Sequence, residues 1–256
     1  MYEVVLLCVA AFIAGLVDAI VGGGGLIQTP AALVILSSYP VASVLGTTKI
    51  PSFSGTTFAA LQYMKKVRVQ WKLLTVLCTT AFLAAYAGSE LLTVVSNRFM
   101  RPLLLVVLTV VAFYTYSKKN FGQQVIKNHS ENTEFLYCFF ISLVIGFYDG
   151  FIGPGTGSFL ILAFIGLLGF DFLQASAHAK LVNLATNLGS IILFTLHGKI
   201  IWAIALPMAL SNAAGGAVGA RLAIAKGNKF IRAFFLLVVT ATLLRFLYDV
   251  FFNAQR

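Results

Sequence analysis

Two aspartates and two lysines sit inside stretches so apolar that no water-facing surface is in reach. Asp18 lies in Gly15-Leu-Val-Asp-Ala-Ile-Val-Gly22-Gly-Gly-Gly25, and Asp149 in Gly146-Phe-Tyr-Asp-Gly-Phe-Ile-Gly153-Pro-Gly-Thr-Gly157. Lys49 lies in Gly46-Thr-Thr-Lys-Ile-Pro-Ser-Phe-Ser-Gly-Thr-Thr57, a segment dense in hydroxyls. Lys180 lies in Ser176-Ala-His-Ala-Lys-Leu-Val-Asn-Leu-Ala-Thr-Asn187. A charge held away from water usually faces a partner or a polar cavity. Two uses follow. In one, Lys49 and Lys180 attract an anion while Thr47, Thr48, Asn183 and Asn187 hydrogen-bond its oxygens. In the other, each lysine neutralises an aspartate and braces the fold.

The glycines beside the aspartates suggest the same chemistry. Gly22, Gly23, Gly24 and Gly25 in succession would cost a continuing helix about 1 kcal/mol each, and Pro154 lies between Gly153 and Gly155. The backbone is expected to break at both places and restart as a short helix near Gly24 and near Gly157. A helix N-terminus offers unpaired N–H donors and partial positive charge, which suit an anion. Gly153, Gly155, Thr156 and Gly157 would then share an oxyanion cradle with the first glycine run. The other reading is that these glycines only let helices pack closely. No strand precedes either run, so the likeness to phosphate-binding loops of soluble enzymes is weak.

These constellations recur at one spacing. Displaced by 131 residues, the chain aligns with itself without a gap: Gly15 meets Gly146, Asp18 meets Asp149, and Lys49 meets Lys180. Trp71 meets Trp202, Gly88 meets Gly219, and Asn97 and Arg101 meet Asn228 and Arg232. Leucine and valine coincidences count for little here, but Asp, Lys, Trp, Asn and Arg are scarce. The alignment points to two homologous repeats, 1–117 and 134–256, joined by a polar linker 118–133. His178 has Thr47 as its counterpart. With a reference pKa near 6.5 a histidine can relay a proton, and Asp18, Asp149 and His178 form the set able to couple a proton or sodium, or to serve as structural charges.

Each repeat reads as about five segments: 3–22, 25–37, 40–64, 71–95 and 98–117, then 134–153, 157–168, 171–196, 202–224 and 229–252. Several meet the roughly 20 apolar residues that a bilayer crossing needs. The chain is 59% hydrophobic and 10% charged, against about 25% charged in soluble domains, so lipid must be part of its solvent. The first segment is expected to be retained rather than cleaved, because Met1–Glu3 carries no positive charge and Asp18 interrupts the apolar run. The fold class is therefore an all-α polytopic membrane protein with short broken helices near the midplane.

The net charge of +10 does not imply nucleic acid as a partner. The basic residues fall in short connections between apolar segments, as cytoplasmic loops of membrane proteins do. If the short segment counts as a crossing, the repeats are inverted. Lys65, Lys66, Arg68, Lys72, Lys118, Lys119, Lys127, Arg221, Lys226, Lys229 and Arg232 then share one side, and Arg98, Arg101, Lys199 and Arg256 the other. A parallel arrangement moves Arg221, Lys226, Lys229 and Arg232 opposite the first-half cluster and evens the split, so inversion is expected, with both termini outside. Inverted repeats with broken helices place a transporter's site at the repeat interface.

Other features take plainer readings. Cys8, Cys78 and Cys138 are small hydrophobes without metal-like spacing. Trp71 and Trp202 open helices where aromatic belts lie, and Arg101 and Arg232 are interfacial anchors. Arg245 and Asp249 make a local helix pair. No Gly-x-Ser-x-Gly, His-Glu-x-x-His or Walker-type lysine is present. No catalytic residue, metal or cofactor is expected.

On these motifs the chain resembles the sulfite exporter TauE/SafE family, also called the toluene sulfonate uptake permeases. The carrying residues are Gly15-x-x-Asp18-Ala-x-x-Gly-Gly-Gly-Gly25, Gly46-Thr-Thr-Lys49 and Asp149-Gly-x-x-Gly-Pro-Gly-Thr-Gly157. The run from Gly146 to Ser158 is similar to that of the family's YfcA-type bacterial members. The resemblance covers nearly the whole chain. It implies a multi-pass bacterial inner-membrane permease for sulfite, organosulfonates or related small anions. Beside secondary transport stand an anion channel or passive facilitator and a non-transporting membrane scaffold. Substrate, direction, coupling ion and oligomeric state stay open.

Overall fold

In the computed structural model, which describes residues 2–100, 102, 103, 106 and 130–252, the described regular structure is helical. Helix α1 (Tyr2–Val21) ends at the first glycine run, and short α2 (Gly25–Ile35) follows. Then come α3 (Val41–Met64) and α4 (Trp71–Val94). A further helical turn opens at 97–100, and the rest of the expected 98–117 helix lies mostly outside the described residues, as do Arg101 and linker residues 118–129. Next are α5 (Glu131–Phe151), short α6 (Thr156–Leu168), α7 (Phe172–Leu196) and α8 (Trp202–Phe252). Gly227, at φ 69°, interrupts α8 between the two segments expected there. The side chains of Arg232, Arg245 and Asp249 lie outside the described residues.

Boundaries follow local chemistry. Helix α5 begins at Glu131 rather than the expected 134, because Ser130 caps it by accepting from the Thr133 amide, with Glu131 and Glu134 in the first turn. An N-cap hydroxyl and acidic first turn answer the orphan donors and the dipole. Asp171 caps α7 in the same way through the Gln174 amide. Asn97 Oδ1 accepts the Val41 amide at 2.9 Å and Asn228 Oδ1 the Leu173 amide at 2.9 Å, so an asparagine from elsewhere in the chain secures the start of each polar helix.

Among the described helices, five are long and apolar enough to cross a membrane: α1, α4, α5, α7 and residues Trp202–Ile231 of α8. Helix α3 is as long as α4 but carries Lys49 and many hydroxyls. Helices α2 and α6, with 11 and 13 residues, are about 16 and 20 Å long, short of a bilayer core of about 30 Å. Polarity is turned inside out: Val5, Phe12, Leu136, Phe140 and Val144 are exposed, whereas Thr47, Lys49, Asp149, Lys180 and Asn187 are buried. Large apolar faces without partners suit lipid, and the chain is an all-helical polytopic membrane protein.

The packing pairs α1 with α8, α4 with α5, α3 with α8 and α4 with α7. Small residues allow the close crossings. A methyl group on Gly219 would overlap the Leu16 carbonyl, and one on Gly88 the Phe147 carbonyl. Helices α3 and α7 pack against each other, and they carry Lys49 and Lys180 to the two breaks.

Candidate functional site: a charged cavity between two helix breaks

At the end of α1, Gly22 takes φ 78°, and after α5 Gly153 and Gly155 take φ 94° and 87°. L-residues with a Cβ avoid this region, so glycine is what turns the chain from each long helix into its short one. The two breaks touch. Gly22 carbonyl accepts the Ser158 amide at 3.0 Å, and Ser158 Oγ donates to the Val21 carbonyl at 3.0 Å.

The four charges pair crosswise between the halves of the chain. Lys49 Nζ donates to the Asp149 carbonyl at 2.6 Å and lies 3.1 Å from Asp149 Oδ1. Lys180 Nζ lies 2.7 Å from Asp18 Oδ2 and also donates to the Asp18 carbonyl. Each ammonium therefore meets a carboxylate and a carbonyl in the last turn of a helix, where the dipole favours a cation. Thr156 Oγ1 lies 2.8 Å from Asp149 Oδ1 and 2.6 Å from the Gly153 carbonyl, so its single proton serves one or the other.

Between the breaks lies a cavity of about 40 Å³. Water needs about 10–15 Å³ by the same measure, so this space holds a few waters or one small oxyanion. Gly24 and Gly25 present the α2 N-terminus to it, and Gly155, Thr156 and Gly157 that of α6. Asp18, Gly22, Thr48, Lys49, Asp149, Gly153, Asn183 and Asn187 also line it. The two ion pairs cancel in formal charge. Facing the space are the positive ends of two helices, the Lys49 ammonium, several amides and the paired carboxylates of Asp18 and Asp149.

Four candidates lie off this lining. Gly23 belongs to the turn itself. Lys180 is fully buried behind Asp18. Thr47 and His178 act at helix starts: Thr47 Oγ1 accepts the Ile201 amide at 3.0 Å, one residue before α8, and His178 Nε2 accepts the Gln70 amide at 3.1 Å, one residue before α4. His178 Nδ1 donates to the Gln174 carbonyl at 2.9 Å, and Phe164 and Phe170 pack against the ring. Both ring nitrogens are thereby engaged. His178→Ala is expected to lower stability by about 1–3 kcal/mol by stripping a helix cap and a buried partner, leaving the pH profile of flux unchanged. Thermal unfolding in detergent and flux against pH check this; a displaced pH profile would instead make His178 a proton carrier.

The lining also contains residues not singled out from the sequence: Gln28, Thr29, Ser52 and Asn212, with Ala14, Leu45 and Ile152. Asn212 Nδ2 donates to Gln28 Oε1 at 2.8 Å, and Gln28 Nε2 donates to the Thr48 carbonyl at 2.9 Å. Ser52 stands where Asn183 stands in the other half, so the repeat spacing itself pointed to it. Gln28 and Thr29 form a polar pair in an otherwise apolar short helix. Asn212 aligns with Ala81 and is recognisable only as an amide on an apolar helix.

The family model described as sulfite exporter TauE/SafE matches residues 7–246. The chain belongs to the sulfite exporter TauE/SafE family. A probable membrane transporter protein of a Sinorhizobium species, ORF9, is 38% identical over 95% of this chain and 92% of its own length. One from Haemophilus influenzae is 33% identical over 96% and 94%. The probable membrane transporter protein YfcA of Escherichia coli K12 is 32% identical over 93% and 87%. No solved structure matches the chain. Membership of TauE/SafE makes this a membrane transporter protein and not an enzyme, and its described spans are those of a multi-pass protein.

Proposed function

We propose that this TauE/SafE protein is a secondary transporter of a small anion, a sulfur oxyanion or organosulfonate such as sulfite, bound in the cavity between its two halves in a bacterial inner membrane. The observation that carries the reading is the convergence of two short-helix N-termini and Lys49 on one buried space of oxyanion size. Backbone donors and helix ends aimed at a buried space suit an anion.

A two-repeat reading is supported by the crossed pairing. Lys49–Asp149 and Lys180–Asp18 are the same contact displaced by the repeat spacing, as are the Thr47 and His178 caps and the Gly88 and Gly219 crossings. Each half supplies the partner charges of the other. Inverted halves that share a site can rock about it and open it alternately to either side.

Purified protein in detergent should be stabilised by its anion in proportion to concentration, tested at matched ionic strength with sulfite, thiosulfate, methanesulfonate, taurine, sulfoacetate, acetate and phosphate. Lys49→Met is expected to weaken that anion's binding about 10- to 100-fold, the loss of one charged hydrogen bond. Unchanged affinity in a folded Lys49→Met protein would remove the site assignment. Saturable counterflow in liposomes would mark a carrier, and single-channel currents a pore.

A further inference from the structure

Asp149 is asymmetric in its contacts. Its Oδ1 lies within hydrogen-bond reach of Lys49 and Thr156, but its Oδ2 has no hydrogen-bond partner, although the side chain is only 4% exposed and lines the cavity. Asp18, the equivalent residue, directs its Oδ2 to Lys180 and toward Thr56 Oγ1 at 3.4 Å. A buried carboxylate oxygen left without a donor costs free energy until a proton or a donor reaches it.

Resting on the anion-transport reading above, we infer that Asp149 Oδ2 takes up the proton that accompanies the transported anion, so that one proton and one monovalent anion enter the cavity together. Charge balance gives the reason. Lys49, Asp149, Lys180 and Asp18 sum to zero, and a lone anion would leave the buried site with a net negative charge, which a low-dielectric interior strongly disfavours. A proton on Oδ2 restores neutrality. It also frees Lys49, now held by the Asp149 carboxylate, to turn its charge to the anion. Anion and proton then favour each other's binding, and that mutual favour is the coupling. Sodium fits poorly, because the Lys49 ammonium already lies 3.1 Å from the other oxygen of the same carboxylate.

The surroundings leave this role to Asp149. Helix α3 contributes Lys49, and α6 contributes the uncharged Thr156. From α4, Ser89 donates to the neighbouring Gly150 carbonyl, while Glu90 is half exposed beside His197, which follows α7. The remaining α7 groups turn elsewhere, Lys180 to Asp18 and His178 to Gln70. On α5 itself, Tyr148 donates its hydroxyl proton to the Pro154 carbonyl.

The test uses the full chain in liposomes loaded with a pH dye, with methanesulfonate as the monovalent probe and thiosulfate as a divalent one; neither has a proton to lose between pH 5.5 and 8. Inward methanesulfonate gradients are expected to acidify the lumen, one proton per anion. In detergent, wild-type affinity for methanesulfonate is expected to weaken by up to about tenfold per pH unit as pH rises, the slope of a one-proton linkage, and Asp149→Asn is expected to flatten that slope. Anion flux without lumenal acidification, or a wild-type slope retained in Asp149→Asn, overturns the inference while leaving anion transport intact. Flux that follows sodium at constant pH also overturns it. If neither probe binds or moves, the transport reading falls and this inference with it. Should Asp149→Asn fail to fold, the wild-type proton-to-anion ratio still decides.

Discussion

Replacing Lys180 with methionine is expected to lower the stability of the folded chain by about 3–5 kcal/mol, the cost of leaving one partner of a buried ion pair uncompensated. Lys180 is fully buried and lies 2.7 Å from Asp18 Oδ2. Its four-carbon stem and charge are both enclosed, and no water can replace the ammonium. Asp18 keeps some exposure to the cavity, 17% of its side chain, so hydration there draws the cost toward the lower figure. Adding Asp18→Asn should recover much of the loss, because the double variant holds no unpaired charge. Detergent melting curves of both variants and the wild type read this directly. A Lys180→Met protein that melts like the wild type would show that the pair does not brace the fold. The comparison with Lys49→Met is informative: Lys49 lines the cavity and Lys180 does not, so the Lys49 change should weaken anion binding more.

Gly22→Ala is expected to cost about 2–5 kcal/mol, combining left-handed backbone strain with overpacking. Gly22 sits at φ 78°, and a Cβ there would overlap the Gly157 backbone and come within 2.5 Å of the Ser158 nitrogen. These are main-chain atoms of the opposite break, which no rotamer change can move aside. The methyl must push the two breaks apart, and the cavity is built between them. Loss of folded protein on size-exclusion chromatography, or a folded variant without anion stabilisation, is the expected result. A variant with wild-type melting and anion response would show that the breaks tolerate separation. Gly198→Ala is a useful contrast, since Gly198 also has a positive φ (61°) but nothing lies within 4 Å of its Cβ position. Only the strain term should remain there.

Much of the architecture was legible from local sequence. The runs around Gly22 and Gly153 end their helices because glycine and proline act on the residues that carry them, and α2 and α6 begin where expected to within one residue. Apolar length marked the spans for the same reason: burial in lipid is imposed segment by segment. The start of α5 was misplaced by three residues, because Ser130, a polar residue in a polar stretch, acts as a cap only once its side chain reaches the Thr133 amide.

The candidate site was legible in its residue types and not in its connections. Asp18, Asp149, Lys49 and Lys180 stood out because charge in an apolar run needs a reason. That Lys49 finds Asp149, 100 residues on, and Lys180 finds Asp18, 162 residues back, was decided by how α3 and α7 pack between the two breaks. Tertiary structure likewise made Thr47 and His178 helix caps, hid Lys180 behind Asp18, and brought Gln28, Ser52 and Asn212 to the cavity. The sequence by itself determined that this is a membrane protein of charged, glycine-broken helices, because transfer to lipid and backbone breaking are local free energies. Which charge faces the cavity and which only braces it depends on packing between segments far apart in the chain, and no local energy contains that information.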